Sequence, residues 1–119
     1  MRCLIVDDNE SFLKVAQTLL EQEGLSVVGV ASTGTDALRQ LTSLHPDVVL
    51  IDIFLGEESG LELARRLAGD AHGNGATLIL ISTRPDLGGL TAVSPAAGFV
   101  PKAELSASAI RRIVDGCAP

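Results

Sequence analysis

Val48-Val49-Leu50-Ile51 is an unbroken apolar run that stops at a carboxylate, Asp52. Cys3-Leu4-Ile5-Val6 is a second such run and stops at Asp7 and Asp8. A strand that is apolar at every position, without alternation, suits a parallel sheet covered by helices on both faces. Such a strand cannot readily hold an ionised carboxylate inside it without a partner. A strand end opening into a crevice can, if a cation neutralises the charge. Three acidic groups converging on one crevice would form a hard-cation site, and one of them could instead serve as a nucleophile.

The rest of the chain supports the same architecture. Arg2–Val6 reads as the first strand. Glu10–Glu23 reads as a helix burying Phe12, Val15, Ala16, Leu19 and Leu20, stopped by Gly24 in the left-handed conformation. Val27–Val30 is the second strand. Ser32 or Thr33 caps a second helix with Ala37, Leu38, Leu41 and Leu44 as its buried stripe, and Pro46 ends it. Val48–Ile53 is the third strand, followed by a Gly56-Glu57-Glu58-Ser59 loop in which Ser59 caps the next helix, Gly60–Ala68, ended by Gly69. After a polar, Gly-rich connection, Asp70–Ala76, come Leu78–Ile81, a short strand at Phe99-Val100 and a final helix, Ala107–Val114.

Thr83–Gly98 breaks this rhythm, because it contains Pro85, Gly88, Gly89 and Pro95. Gly costs about 1 kcal/mol and Pro about 3 kcal/mol relative to Ala inside a helix. The expectation there is a fourth helix of two turns or less near Leu87–Val93, or an irregular segment. The alternation as a whole predicts a doubly wound α/β domain on a five-stranded parallel sheet with right-handed crossovers.

The chain of 119 residues suffices for one domain, 1–119, and its core must be aliphatic, because the only aromatics are Phe12, Phe54 and Phe99. A net charge of −6 argues against a nucleic-acid surface on this domain. Cys3, in a strand, and Cys117, in the tail, make no disulfide framework, so a reducing, cytoplasmic setting is expected. There is no signal-peptide pattern, and no run reaches the roughly 18 apolar residues of a membrane span. His45 and His72 have no metal-ligand spacing; Arg65-Arg66 and Arg111-Arg112 read as solvated helix faces.

Ligands of doubly wound sheets bind outside the carboxyl ends of the strands. The side chains gathered there are Asp7 and Asp8, Asp52, Ser82 and Thr83, and Lys102. Taken singly, each has an ordinary structural explanation: Asp8 or Asn9 can cap the first helix, Asp52 can end a strand, Ser82 can bond its own loop, and Lys102 can be solvated. Their meeting at one edge is what carries weight.

Leu4-Ile5-Val6-Asp7-Asp8-Asn9, Pro46-Asp47-Val48-Val49-Leu50-Ile51-Asp52, Gly60-Leu61-Glu62-Leu63, Ile79-Leu80-Ile81-Ser82 and Gly98-Phe99-Val100-Pro101-Lys102, in this order and spacing, resemble the receiver domain of bacterial two-component response regulators. The resemblance covers essentially the whole chain. It implies a flavodoxin-like (βα)5 fold with strand order 2-1-3-4-5. It implies that Asp52 is the phosphoacceptor for the phosphohistidine of a sensor histidine kinase or phosphotransfer protein. Asp7, Asp8 and Asp52 would hold Mg²⁺ with the backbone carbonyl of Phe54, while Ser82 and Lys102 would contact the phosphoryl oxygens. Ser82 and Phe99 would act as the switch. The surface of the fourth helix, fifth strand and fifth helix would then address an output protein or effector domain, with a second copy of the chain as a further candidate partner.

This chain departs from the family pattern in several places. Ser82 stands where Thr is commoner, Thr83 where Ala or Gly is usual, Ala103 where Pro often follows the lysine, and Gly56 where Pro is common. Gly98–Leu105 resembles receivers that precede a LuxR-type DNA-binding domain, so both a stand-alone regulator and a receiver separated from its effector are expected. A haloacid-dehalogenase-type phosphatase also uses an aspartyl nucleophile but needs a second Asp where this chain has Phe54. A nucleotide module lacks its Gly-rich phosphate cradle here. The remaining alternative is a receiver-like scaffold that is never phosphorylated.

Overall fold

A computed structural model describes residues 1–70 and 75–116, with Asp70 given by its backbone alone. His72, Cys117 and most of the connection before the fourth long strand lie outside the described residues. In chain order the elements are β1 (Arg2–Val6), α1 (Glu10–Gln22), β2 (Ser26–Ala31), α2 (Gly34–Leu44), β3 (Val48–Asp52), β4 (Phe54–Leu55), β5 (Glu58–Ser59), α3 (Gly60–Asp70) and β6 (Thr77–Ser82). A 3₁₀ segment (Pro85–Val93), β7 (Gly98–Pro101), a 3₁₀ turn (Lys102–Glu104) and α4 (Ala107–Gly116) complete it. The five long strands form one sheet in the order β2-β1-β3-β6-β7, and their pairings are all parallel. This is the 2-1-3-4-5 order expected, once the small β4–β5 hairpin is set aside.

Unbroken apolar strands make sense because both faces are buried. Leu4, Val6, Val49, Ile51, Leu78 and Leu80 pack on one face with Ala37, Leu41, Leu63, Ala64 and Leu67 of α2 and α3. Cys3, Ile5, Val48, Leu50, Ile79 and Ile81 pack on the other with Leu13, Ala16, Leu20 and Ile110 of α1 and α4. Burial pushes the Cys3 thiol up to about 12, so it behaves as a small core hydrophobe.

Register then sets the polar edge. Val6 pairs with Ile51, so Asp7 and Asp52 follow side by side. Asp52 pairs with Ile81 and Ser82 with Pro101, which brings Ser82 and Lys102 to the same edge. Side chains alternate along a strand. Asp52 therefore continues the row of Val48 and Leu50 toward the α1 face.

The structure corrects several expectations. In α1 the buried positions are Leu13, Ala16 and Leu20, while Val15 is exposed; the helix is rotated so that Leu13 replaces Val15 in the stripe. Of the two candidate caps for α2, Thr33 is used, its hydroxyl accepting from Asp36 N–H at 3.2 Å. Helix α3 runs through Gly69 to Asp70, because burial of Leu63, Ala64 and Leu67 outweighs the helix penalty of one glycine. The expected 56–59 loop is a hairpin in which Leu55 pairs with Glu58 across Gly56-Glu57, with Gly56 at φ +59° in the first turn position, where glycine is favoured.

The fourth helical segment is nine residues of 3₁₀ helix, starting two residues earlier and running longer than expected. Its type follows from its composition. It has no side-chain cap and no fully buried residue, and its Leu87 and Leu90 are only partly buried against the core. The Lys102–Ala103 peptide is trans, as are all described peptides.

One glycine is dictated by packing. A Cβ on Gly60 would lie 1.9 Å from the Asp52 carbonyl oxygen and 2.8 Å from Ile53 Cα. Gly60 N–H donates to the Ile53 carbonyl at 2.8 Å, so α3 starts pressed against the end of β3. Gly60→Ala is expected to lower unfolding stability in urea by about 3 kcal/mol or more. Gly69→Ala, with open space around its Cβ, should raise stability by up to about 1 kcal/mol. Equal, small effects at both positions would contradict the close approach.

Candidate functional site

At the carboxyl edge of the sheet, Asp7, Asp8 and Asp52 each offer a carboxylate oxygen within 4.8 Å of the others. Asp7 is fully buried and Asp52 is 5% exposed, whereas Asp8 faces solvent. Each is placed by backbone. Asp7 N–H donates to the Ala31 carbonyl at 2.9 Å, extending the β1–β2 ladder by one residue. Asn9 N–H donates to Asp7 Oδ1 at 2.9 Å. Asn9, not Asp8, caps α1: its Oδ1 accepts from Phe12 N–H at 3.1 Å. That division of labour leaves the Asp8 carboxylate outside the cap. The other side of the pocket is equally tight, since a Cβ on Gly56 would lie 3.2 Å from Asp8 Oδ2.

Lys102 supplies the counter-charge. Its Nζ lies 2.5 Å from Asp7 Oδ2 and 3.5 Å from Asp52 Oδ2, with its side chain only 11% exposed. Asp7 Oδ2 is buried and has no hydrogen-bond donor aligned with it, so the ion pair with Lys102 is its compensation. Three carboxylates converging at one edge suit a small hard cation with oxygen ligands, and the donor set here fits Mg²⁺.

Ser82 is buried beside this edge, and its Oγ accepts from Arg84 N–H at 3.1 Å, so its hydroxyl is turned to its own loop. Thr83 is exposed. Phe54 is 55% exposed, and its backbone beside the Asp52 carboxylate acts to lower that carboxyl against burial. Phe99 is half-buried against the α2–α3 face of the core, next to Gly88. The structure thus brings Asp7, Asp8, Asp52 and Lys102 into one cluster, with Ser82 at its border and Phe99 farther along β7.

Two participants were not legible as site residues in the sequence. Phe12 read as a core position, yet its ring centroid lies 4.4 Å from Lys102 Nζ. Glu58 read as a loop residue, yet its carboxylate accepts from Gly34 N–H at 3.0 Å, tying the hairpin after Asp52 to the start of α2. A helix start is a favourable place for a carboxylate, but nothing in the local spacing names its partner across the chain.

Burial, first, and the charge of Asp7, second, raise the Asp52 carboxyl to about 6, against the opposing pull of Lys102. The folded chain then holds a proton at Asp52 where the unfolded chain has lost it. Stability from this group is present below about pH 4 and is lost as pH rises through about 6. In EDTA at about pH 7.5, Asp52→Asn is expected to raise unfolding stability by about 1–3 kcal/mol, at roughly 1.4 kcal/mol per pKa unit, and to leave it nearly unchanged at about pH 4. A loss of stability at the higher pH would mean that the Lys102 pairing outweighs burial.

Residues 3–112 match the family described as the response regulator receiver domain. A protein-glutamate methylesterase/protein-glutamine glutaminase of Nocardioides sp. is 34% identical over 107 residues, which is 86% of this chain and 29% of that protein. Its counterpart numbered 5 in Myxococcus xanthus is 44% identical over 72 residues, 60% of this chain and 21% of that protein. The chain therefore spans less than a third of the length of these curated relatives. Among solved structures, the signal receiver domain of the response regulator NarL from Mycobacterium tuberculosis superposes with a TM-score of 0.81 at 26% identity, covering 97% of this chain and 96% of that one. Sequence motifs, strand order and the acidic edge agree with these similarities, and the chain belongs to the response regulator receiver domain family.

Proposed function

We propose that this chain is a phosphorylation-dependent signalling receiver, 1–119, whose phosphoacceptor is Asp52. The observation that carries this reading is Lys102 bridging Asp7 and Asp52 from the far strand. One largely enclosed cation held between two buried carboxylates is poised to follow negative charge when it grows on one of them. In the reaction, an Asp52 carboxylate oxygen attacks phosphorus, the phosphorus–nitrogen bond of a phosphohistidine breaks, and the imidazole leaves with the electron pair. Lys102 transfers its attraction to the new phosphoryl oxygens. Ser82 exchanges the Arg84 N–H contact for donation to the phosphoryl group. The Phe54 backbone, which acts to lower the Asp52 carboxyl, favours its nucleophilic, ionised form. Mg²⁺, held by Asp7, Asp8, Asp52 and the Phe54 carbonyl, would supply neutralisation of developing charge on the equatorial oxygens.

A phosphoryl group brings roughly 1.5–2 negative charges and new acceptors. Ser82 borders the 3₁₀ segment Pro85–Val93, which has no side-chain cap and no fully buried residue. A segment held this loosely suits an order–disorder response more than a rigid displacement. Its surface, with Phe99 of β7 and with α4, is the proposed output face for a partner protein or effector domain. The kinase or phosphotransfer donor, a cytoplasmic setting, and a role beside a LuxR-type DNA-binding domain or as a stand-alone regulator belong to the same proposal. So does the absence of catalysis beyond the chain's own phosphorylation and dephosphorylation. A dehalogenase-type phosphatase is disfavoured by the half-exposed Phe54 in the position of its second Asp. A scaffold that is never phosphorylated leaves the buried Asp7–Lys102–Asp52 cluster without a use.

Incubation with acetyl phosphate and Mg²⁺ is expected to add one phosphoryl mass to the intact chain, with no addition in Asp52→Asn or in EDTA. Persistent addition in Asp52→Asn would overturn the acceptor. Amide exchange across 83–97 is expected to change on addition of beryllofluoride with Mg²⁺; identical exchange would rule out the proposed response of this segment.

A further inference from the structure

Phe12 stands over the cation on which the proposed reaction depends. Its ring centroid is 4.4 Å from Lys102 Nζ, within the range of a cation–π contact. The ring is firmly placed. Phe12 N–H is held by the Asn9 cap, whose own N–H is bonded to Asp7, and the side chain packs against the α1–α4 face of the core. Asp7, Asn9 and Phe12 thus form one short rigid path from the pocket floor to the ring. Lys102 reaches the same carboxyl edge from β7, the far edge strand, on a flexible stem, and its side chain is only 11% exposed.

The three partners of the ammonium differ in one respect. Asp7 and Asp52 hold it by formal charge, so a divalent cation or a phosphoryl group redistributes their pull. The ring holds it through its quadrupole and carries no charge for a metal to take away. Part of the attraction on Lys102 is therefore unaffected by the state of the carboxylates.

We propose that Phe12 is a positioning residue for Lys102, keeping its ammonium at the Asp52 end of the pocket while the carboxylates change partners. The inference rests on the phosphorylation reading for its consequence, and on geometry alone for the contact. A ring contact of this kind, with the ammonium still in part exposed, corresponds to about 1 kcal/mol, or roughly a five-fold change in rate.

Site-specific replacement of Phe12 by mono-, di- and trifluorinated phenylalanine drains the ring face of negative charge at nearly constant shape. Labelling by acetyl phosphate with Mg²⁺ is expected to slow in steps, to about five-fold for the trifluorinated ring, with Tm lowered by no more than roughly a few degrees. Phe12→Tyr should retain the native rate, Phe12→Leu should lose it, and the fluorination series should be flat in Lys102→Gln. In the unphosphorylated protein, with and without Mg²⁺, the Lys102 ε-methylene protons should resonate upfield of an exposed lysine and return to that position in Phe12→Leu. A flat series with Lys102 in place, or ε-protons at the exposed position in the native chain, would overturn the proposal. If no variant takes up label, the functional reading fails, and the ε-proton shift alone decides whether Phe12 holds Lys102.

Discussion

A largely enclosed ammonium shared by two buried carboxylates is the interaction on which this edge of the molecule depends. Asp7 and Asp52 are neighbours because β1 and β3 pair in parallel and end in register. Parallel pairing brings like charges together at strand ends, where antiparallel pairing would send them to opposite edges. Burial and the Asp7 charge raise the Asp52 carboxyl, and Lys102, delivered from β7, counters part of that rise. Removing Lys102 from such a set would leave two buried carboxylates uncompensated, which is more damaging than never having placed the set there.

The backbone around the pocket is built to hold these charges in place. Asn9 takes the cap of α1 and at the same time bonds Asp7, so that Asp8 is spared for the pocket. Gly60 lets α3 begin against the Asp52 carbonyl, and Gly56 turns the hairpin tightly beside Asp8. Glu58 then anchors that hairpin to the first turn of α2. By contrast, the segment after Ser82 has glycines where a helix would need side chains, and winds as 3₁₀. The edge is therefore tightly tied around the carboxylates and loosely held after Ser82, the asymmetry on which the proposed switch relies.

The long strands and the members of the site were legible because each leaves a local mark: an unbroken apolar run, then a charge. The cluster of Asp7, Asp52 and Lys102 follows from those marks and from parallel pairing, whereas strand order was legible only through the family resemblance. The β4–β5 hairpin was not legible, since strands of two residues have no period to detect. The rotation of α1 was misjudged because Leu13 and Val15 are equally apolar, and only packing against β1 and β3 chooses between them. Gly69 read as a stop because propensity is local, whereas the burial that carries α3 past it is tertiary. Phe12 over Lys102 and Glu58 under Gly34 join residues far apart in the chain, for which spacing carries no signal.

The position that carries a phosphoryl group tests the role of Asp52 most directly. Borohydride reduction of the acetyl-phosphate-treated protein converts an aspartyl phosphate to homoserine, and peptide mapping locates it. Homoserine at position 52, and at no other aspartate, is the expected result. Homoserine at position 7 or 8, or none anywhere under conditions that label a receiver domain, would contradict the assignment of Asp52 as nucleophile.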